Sequence, residues 1–239
     1  MTGYNDPRVE KMFLPNDVGN YVGIRIGIDV AGKATAMTKY SNLIVESTTP
    51  YLWFNAAEAT FLRAEYELRW GSEETARELY EEAIRLSFEE RGASGADAYV
   101  ADGTSRPAAY TDPLGMYSAA AQSTITIAWA PGADNFEENL ERIITQKWIA
   151  IFPLGVEAWS EHRRTGYPRL MPVVADKSGG GVDVAQGARR LPYPVEEYQQ
   201  NNANLQAAIQ QLDAEQTNGN RTGDQMGTRV WWDCKPYNN

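Results

Sequence analysis

The side chains that most often carry out catalysis are scarce in this sequence. His162 is its only histidine and Cys234 its only cysteine. A serine or cysteine nucleophile would need His162 as its base, yet this histidine lies beside Arg163 and Arg164 in a helical segment, a context typical of a structural residue. A zinc site needs four ligands drawn mainly from histidine and cysteine, which one histidine and one distant cysteine do not supply. The sequence therefore predicts neither a metal nor a cofactor.

Carboxylates make a weaker case for catalysis. Glu157 and Glu161 share one helix face at a spacing of four residues, and glycoside hydrolysis requires a pair of carboxylates. Solvated charges on a helix face are the favoured interpretation. Asp97, Asp102 and Asp112 lie in a turn-rich loop and could offer oxygen ligands to a hard cation, but they lack the regular spacing of a calcium loop. We interpret them as solvated turn residues.

Composition limits the class of protein and the class of partner. The chain has 239 residues, 43% of them hydrophobic, and a formal net charge of −10. It is long enough to bury a sizeable core as one domain or two, and it lacks the basic face that nucleic acids require. No apolar run approaches the roughly twenty residues of a membrane-spanning helix, and the first residues contain no apolar signal region. Cys234 has no cysteine partner in the chain and is expected to be a free thiol.

The candidates for chemistry lie on and around one central stretch, residues 135–170. Apolar residues recur there at intervals of three and four, which predicts a helix over 135–152 with a wide buried face. Asp134 is the expected N-cap of this helix, and Pro153 ends it because proline has no backbone donor. A second short helix follows and stops before Pro168.

A helical hairpin is predicted upstream, with helices over 54–70 and 72–91. Asn55 and Ser72 are the expected N-caps. One hairpin of this length matches a tetratricopeptide-like repeat and cannot bury its own face, so it must dock on the central helix or on further repeats. The predicted fold is therefore mainly α: a tetratricopeptide-like hairpin packed on a helix-corner-helix unit, with long loops and little sheet. The inward stripe of the first helix is predicted to be Phe54, Ala57, Phe61, Ala64 and Leu68.

The segments that flank these helices are predicted to be rich in loops. Residues 1–50 contain two short runs suited to strands, at 21–28 and 43–45, and are expected to cover surface. Residues 93–133 form a loop long enough to favour a functional role.

The end of the chain is predicted to return to the body of the protein. A last helix is expected over 201–212. Trp231 and Trp232 are then expected to act as an anchor, because two indoles bury too much area to remain in water.

A contact between the central stretch and the hairpin is also predicted. Arg163 and Arg164 are adjacent in a packed region, and an unpaired buried charge costs several kcal/mol. We expect one of these arginines to pair with Glu58 or Glu65 on the first helix of the hairpin, as a structural contact.

Several short strings occur in a characteristic order. They are Ala64-Glu65, TQKWIA at 145–150, EAW at 157–159, RRTGYPRL at 163–170, RRLPYPVEE at 189–197 and GTRVWWD at 227–233. From about residue 50 to its end, the chain resembles the C-terminal half of the SusD/RagB-like outer-membrane lipoproteins. The RRTGYP and WWD strings are the most specific part of this resemblance.

The resemblance implies non-catalytic binding of a glycan or other nutrient at the bacterial outer-membrane surface, for import through a SusC-type TonB-dependent transporter. Family members are normally much longer, so the chain is expected to be a fragment or a truncated product, without the family's signal and lipid anchor. It is expected to form one domain over 1–239, divided into 1–50, 51–170 and 171–239. Two alternatives remain open: a generic tetratricopeptide-like interaction module and, less favoured, a glycan-cleaving enzyme.

The expected ligand contacts follow from the resemblance and from the chemistry of sugars. In the family the ligand surface lies away from the helical repeats. Sugar rings present C–H groups that pack on flat aromatic rings, and aromatic residues at helix spacing are expected to be used in packing. Loop aromatics remain, and those predicted to contact a ligand are Tyr21, Tyr40, Tyr117 and Trp129.

Overall fold

The computed structural model describes residues 1–214 and 222–233. Short 3-10 turns occur at Thr2–Tyr4 and Ala133–Asn135. In chain order the other elements are α1 (Val9–Met12), β1 (Phe13–Leu14), α2 (Lys33–Lys39), β2 (Asn42–Leu43), α3 (Ala56–Trp70), α4 (Glu73–Glu90), α5 (Ala96–Val100), α6 (Phe136–Ala150), α7 (Gly155–Thr165), α8 (Val195–Gln200) and α9 (Asn202–Ala214). Helix dominates and the described part of the chain contains one small sheet. The predicted mainly helical fold is confirmed.

Contacts group the chain into two compact units. The first comprises residues 1–25, 30–162 and 167–170, and the second comprises 26–29, 163–166 and the described residues from 171 to 233. The single domain expected from the sequence stays a prediction. Within the two described ranges, no helix combines the length and the apolar character needed to cross a membrane.

The predicted hairpin is present as α3 and α4. The Asn55 side chain accepts a hydrogen bond from the Glu58 amide at 2.7 Å, and Ser72 accepts one from the Thr75 amide at 3.5 Å. Both predicted N-caps are therefore confirmed. Phe54 is a correction, because its side chain is 61% exposed. It precedes the N-cap, where the backbone has not yet entered the helix and does not follow the helical stripe.

Helix α6 is buried on most of its sides. Both helices of the hairpin contact it, and Leu140 and Ile143 are enclosed by that contact. The start of α6 differs from the prediction, since Asp134 lies in a 3-10 turn and the N-cap residue is Asn135, without a side-chain cap. The Asn135 amide group instead donates to the Pro131 carbonyl at 2.8 Å. The 3-10 turn thus takes the place of the predicted Asp134 cap.

An arginine from the start of the chain fills the space beside α6. Arg8 is fully buried and donates to the two carboxylate oxygens of Asp6 at 2.9 and 2.7 Å. It also donates to Ser87 on α4 and to Gln146 on α6, both at 2.8 Å. The expectation that residues 1–50 only cover surface is wrong here. A buried guanidinium group has five N–H donors that need acceptors. This segment places the Arg8 guanidinium in the interior, where Asp6, Ser87 and Gln146 accept its hydrogen bonds.

Lys147 forms internal ion pairs in the otherwise apolar face of α6. Its Nζ lies 3.4 Å from carboxylate oxygens of Glu157 and of Glu161 on α7, and its side chain is 1% exposed. The prediction of solvated face charges is therefore wrong for Glu161, which is buried. Glu58 lies close to the same charges, and burial raises its carboxyl pKa above the ordinary value, although Lys147 opposes the rise.

The small sheet joins β1 and β2 in antiparallel fashion. The strand predicted over 21–28 is not formed, and the one predicted over 43–45 contributes only Leu43. Val22 bonds instead to Ser41, through its carbonyl to the Ser41 amide at 2.8 Å and through its amide to the Ser41 hydroxyl at 2.9 Å. The Ser41 hydroxyl takes the place of the backbone carbonyl that would accept from the Val22 amide in a β-ladder. The hydrogen bonds between Val22 and Ser41 therefore do not continue as a strand.

The second unit is held by a buried arginine pair. The Arg189 guanidinium binds the Asp233 carboxylate, with Nε 2.6 Å from Oδ2, and the Arg189 carbonyl accepts from Arg163 at 2.7 Å. The Arg163 Cζ lies 4.8 Å from the Trp232 ring centroid. Trp231 is a correction, since its side chain is 72% exposed. Trp232 is half-buried and lies against Arg163 within this unit, while the anchoring of the chain end on the body of the protein stays a prediction.

The ends of this unit match the sequence in part. The helix predicted over 201–212 is present as α9, with Leu205 and Leu212 buried. Cys234, the expected free thiol, lies outside the described residues.

Candidate functional site

Besides Met1, Thr2, Val9 and Phe13, three segments of the first unit line an open cleft of about 1030 Å³. They are the loop over 16–24, the turn from α2 into β2 over 39–43, and the loop over 109–113. A cleft of this size lies at the upper end of the range for small-molecule sites. The sequence predicts loops over these regions, apart from the two short runs suited to strands at 21–28 and 43–45.

The first loop is braced by one asparagine. The Asn16 Oδ1 accepts hydrogen bonds from the amides of Val18 at 3.2 Å and Asn20 at 2.8 Å. Its amide group donates to the Lys39 carbonyl at 3.1 Å, at the end of α2. Asn16 therefore fixes the loop over 16–24 against the end of α2, which holds the backbone that carries the side chains of this loop.

The opposite wall is anchored by a buried carboxylate. Asp112 Oδ1 accepts from the Tyr40 hydroxyl at 2.9 Å, and its Oδ2 accepts from the amides of Met116 at 2.9 Å and Tyr117 at 3.1 Å. Burial alone would raise the pKa of Asp112, but these hydrogen bonds outweigh it and hold the pKa below its ordinary value. Arg25 adds a bond from Nη1 to the Tyr117 carbonyl at 2.9 Å. Asp112 is thus a turn residue, as predicted, but it is buried and not solvated.

Several polar groups in the wall of the cleft remain uncommitted. The Tyr21 hydroxyl, the Asn20 side-chain amide and the Thr111 hydroxyl border the cleft, and no hydrogen bond of theirs occurs among the residues that the structure describes. Tyr21 is half-buried, whereas Asn20 and Thr111 are exposed. Apolar residues such as Val18 and Ile24 also line the cleft. The wall can offer an aromatic ring and neutral donors and acceptors to one ligand.

The four residues predicted to contact a ligand fall in different places. Tyr21 lines the cleft. Tyr40 has no exposed surface, since it reaches beneath the cleft to Asp112, so its ring is not available to a ligand in this structure. Tyr117 is half-buried and follows the loop that forms the third wall.

Trp129 lies apart from these tyrosines. Its ring centroid is 5.5 Å from that of Tyr80 in the core, and its Nε1 donates to Glu73 at 3.2 Å. It borders a separate hollow of about 200 Å³ with Arg77 and Pro131. The four aromatics therefore do not form one platform.

The residues of the predicted arginine contact are distributed over both units. Arg163 belongs to the second unit and Arg164 is exposed. Glu65 in the first unit pairs with Arg69 one turn along α3, at 2.8 Å, and Glu58 lies near Lys147. The pairing of an arginine with Glu58 or Glu65 stays a prediction.

The side chains considered for catalysis are engaged in the interior. The Nδ1 of His162 lies 3.1 Å from the Pro168 carbonyl oxygen, and the His162 ring meets Trp148 edge-on, with centroids 6.5 Å apart. Glu157 and Glu161 both pair with Lys147. Within residues 1–214 and 222–233, no group of three or more acidic, histidine or cysteine side chains is placed to hold a metal ion.

Sequence reasoning missed part of the cleft. Tyr110 lines it, and the rule that selected loop aromatics would also have selected this tyrosine. Asp17 and Lys39 form an ion pair at its edge, 2.6 Å apart. These two residues are separated by 22 positions across an irregular segment, so no local pattern signals their contact.

Comparisons with known proteins agree with the motifs. A family model described as SusD-like, "Susd and RagB outer membrane lipoprotein", matches residues 1–233. A solved SusD homologue from Bacteroides thetaiotaomicron VPI-5482 is 50% identical, with a TM-score of 0.92 over 99% of this chain. One from Bacteroides uniformis ATCC 8492 is 45% identical, with a TM-score of 0.89 over 98% of the chain. Comparison with curated proteins gives no significant match.

A third similar structure carries a functional description. It is a chitin-binding SusD homologue from Flavobacterium johnsoniae, 42% identical to this chain, with a TM-score of 0.87 over 99% of the chain. The alignments cover 50%, 48% and 48% of these three structures. The chain therefore spans about half the length of the solved relatives that it matches.

Proposed function

The chain belongs to the SusD-like family of outer-membrane lipoproteins, and from that membership we propose that it binds a glycan or similar nutrient, without catalysis, at the bacterial cell surface. The bound nutrient is then imported through a SusC-type TonB-dependent transporter. The observation that carries the proposal is the cleft beside Tyr21, which is large enough for an oligosaccharide.

The chemistry of the cleft supports binding of a polyhydroxylated ligand. A sugar offers C–H faces and hydroxyl groups that both donate and accept hydrogen bonds. The Tyr21 ring supplies a flat apolar surface, while the Asn20 amide and the Thr111 hydroxyl supply neutral polar partners. The chitin-binding description of the Flavobacterium johnsoniae relative supports a carbohydrate as the ligand class.

The arrangement of the acidic residues supports a binding role over hydrolysis. Glycosidases place two carboxyl groups on opposite sides of a scissile bond. Glu157 and Glu161 lie on one helix and share a single lysine, and neither is among the residues that line the cleft.

A protein-interaction module remains the second candidate because of a separate apolar surface. Helix α3 presents Leu62, Tyr66 and Trp70 to solvent, with exposures of 42%, 57% and 73%. Their spacing of four residues forms a continuous stripe, and stripes of this kind often contact another protein.

A glycan array followed by affinity electrophoresis distinguishes these functions. We expect the purified chain to bind at least one glycan, and Tyr21→Ala to weaken that binding about tenfold, or about 1.4 kcal/mol. Tyr66→Ala is the matched control, since it removes an exposed tyrosine outside the cleft, and it should bind like the wild type. Release of reducing ends would favour the enzyme. Binding that survives Tyr21→Ala but is lost in Tyr66→Ala would place the site on α3 and contradict the proposal.

A further inference from the structure

The charges in the wall of the cleft cancel each other. Asp17 and Lys39 are the acidic and basic side chains among the lining residues. The Lys39 Nζ lies 2.6 Å from the Asp17 carboxylate, with side-chain exposures of 42% and 37%. The lining therefore presents little net charge to a ligand.

Recognition of an anionic glycan requires a different lining. Carboxylates and sulfates are held by guanidinium or ammonium groups whose donors face the ligand. Lys39 is the cationic side chain of this lining, and Asp17 already occupies it. The formal net charge of −10 adds a repulsive field around the whole chain, which acts over roughly 8 Å at physiological salt.

The uncommitted groups, in contrast, are all uncharged. The Tyr21 and Thr111 hydroxyls donate and accept, and the Asn20 amide offers both functions from separate atoms. These neutral groups can exchange hydrogen bonds with sugar hydroxyls, and they form no ion pair with a charged ligand.

We propose that the cleft selects uncharged oligosaccharides over glycans that carry carboxylates or sulfates, and that Asp17 sets this preference by neutralising Lys39. The inference rests on the proposed function, because it assumes that the cleft binds glycans. It adds the charge class of the ligand and names a residue that determines specificity.

Removal of Asp17 tests the inference. The wild type is expected to bind neutral oligosaccharides on a glycan array and to leave uronate-containing and sulfated glycans unoccupied. Asp17→Asn keeps the side-chain shape and releases Lys39, so we expect at least threefold stronger binding to anionic glycans at 20 mM salt and little change for neutral ones. The double variant Asp17→Asn/Lys39→Gln should lose that gain, which assigns it to the lysine.

A matched control separates this local effect from total charge. Asp29 pairs with Lys177 at 2.5 Å in the second unit, so Asp29→Asn changes the net charge by the same amount outside the cleft. Equal gains for Asp17→Asn and Asp29→Asn would overturn the inference, and so would a wild type that prefers anionic glycans. In both cases glycan binding itself would still stand, whereas a wild type that binds no glycan at all would overturn the proposed function together with the inference.

Discussion

The interior around α6 and the cleft use similar side chains in opposite ways. In the interior, Arg8 directs its donors to Asp6, Ser87 and Gln146. In the cleft, the Tyr21 hydroxyl, the Asn20 side-chain amide and the Thr111 hydroxyl make no hydrogen bond within the described part of the chain. Groups that are satisfied internally hold a structure in place, and groups left available can bind something else. This contrast supports the proposal that the cleft binds a ligand, independently of the shape of the cleft.

The tyrosines show this difference within one residue type. Tyr80 is fully buried and donates to the Ile127 carbonyl at 2.7 Å. Tyr99 is buried and bonds to Asp6 at 3.1 Å. Tyr21, by comparison, faces the cleft. The hydroxyls of Tyr80 and Tyr99 are thus used by the fold, whereas that of Tyr21 is available to a ligand.

The largest effect is expected where the interior network is broken. Arg8→Met removes a buried guanidinium and leaves the Asp6 carboxylate buried without its counter-ion. Breaking a buried ion pair from one side costs about 3–5 kcal/mol, and we expect a loss of that size in the free energy of unfolding, measured by urea denaturation.

Arg63→Met is the control for this change. Arg63 lies exposed on α3, and surface substitutions usually change stability by less than about 0.5 kcal/mol. The comparison between the interior and the cleft fails if Arg8→Met is as mild as Arg63→Met.

The sequence predicted elements that depend on near neighbours. Asn55 and Ser72 cap their helices as expected, because each cap bonds to an amide three residues along the chain. The Arg8 network joins residues 138 positions apart, and Tyr40 meets Asp112 across 72 positions. Such contacts exist only after the chain folds, and no local spacing encodes them. Of the four aromatic residues predicted to contact a ligand, Tyr21 lies in the lining of the cleft, whereas Tyr40 is buried and donates to Asp112. Contact of Tyr21 with a ligand stays a prediction.

A smaller effect is expected at the support of the cleft. Tyr40→Phe removes the hydroxyl that donates to Asp112 but keeps the buried ring. A hydrogen bond to a charged group contributes about 1.5–3 kcal/mol, and the two amide bonds to Asp112 remain, so we expect a loss of about 1–2 kcal/mol at pH 7. Glycan binding should change little, because the Tyr40 ring is buried beneath the cleft. A tenfold loss of binding with unchanged stability would make Tyr40 a ligand contact after all.

The cost of Tyr40→Phe should depend on pH in a defined direction. The pKa of Asp112 is below its ordinary value of 3.8 in the folded protein. A depressed carboxyl pKa contributes stability above the unfolded value, and the contribution is lost as the pH falls through the folded pKa. The difference in unfolding free energy between wild type and Tyr40→Phe should therefore be largest above pH 4 and shrink at lower pH. A difference in unfolding free energy that does not depend on pH would mean that Tyr40 stabilises the protein without acting through the charge of Asp112.

The smallest effect concerns an exception within the interior. One carboxylate oxygen of Glu58 is buried and has no hydrogen-bond partner in the described residues, and burial raises the Glu58 pKa above its ordinary value of 4.5 while Lys147 opposes the rise. A raised carboxyl pKa means that the folded state binds the proton more tightly, so the protein loses stability as the pH rises from 4.5 through the folded pKa.

Glu58→Gln removes this titration. Its stability relative to wild type should therefore increase from pH 4 to pH 8, by less than the changes expected for Arg8 and Tyr40. Glu74→Gln, an exposed change in the first turn of α4, is the control, and urea denaturation across this pH range is the measurement. A relative stability that falls with rising pH would mean that the Lys147 attraction prevails, in which case Glu58 belongs with the satisfied groups of the interior.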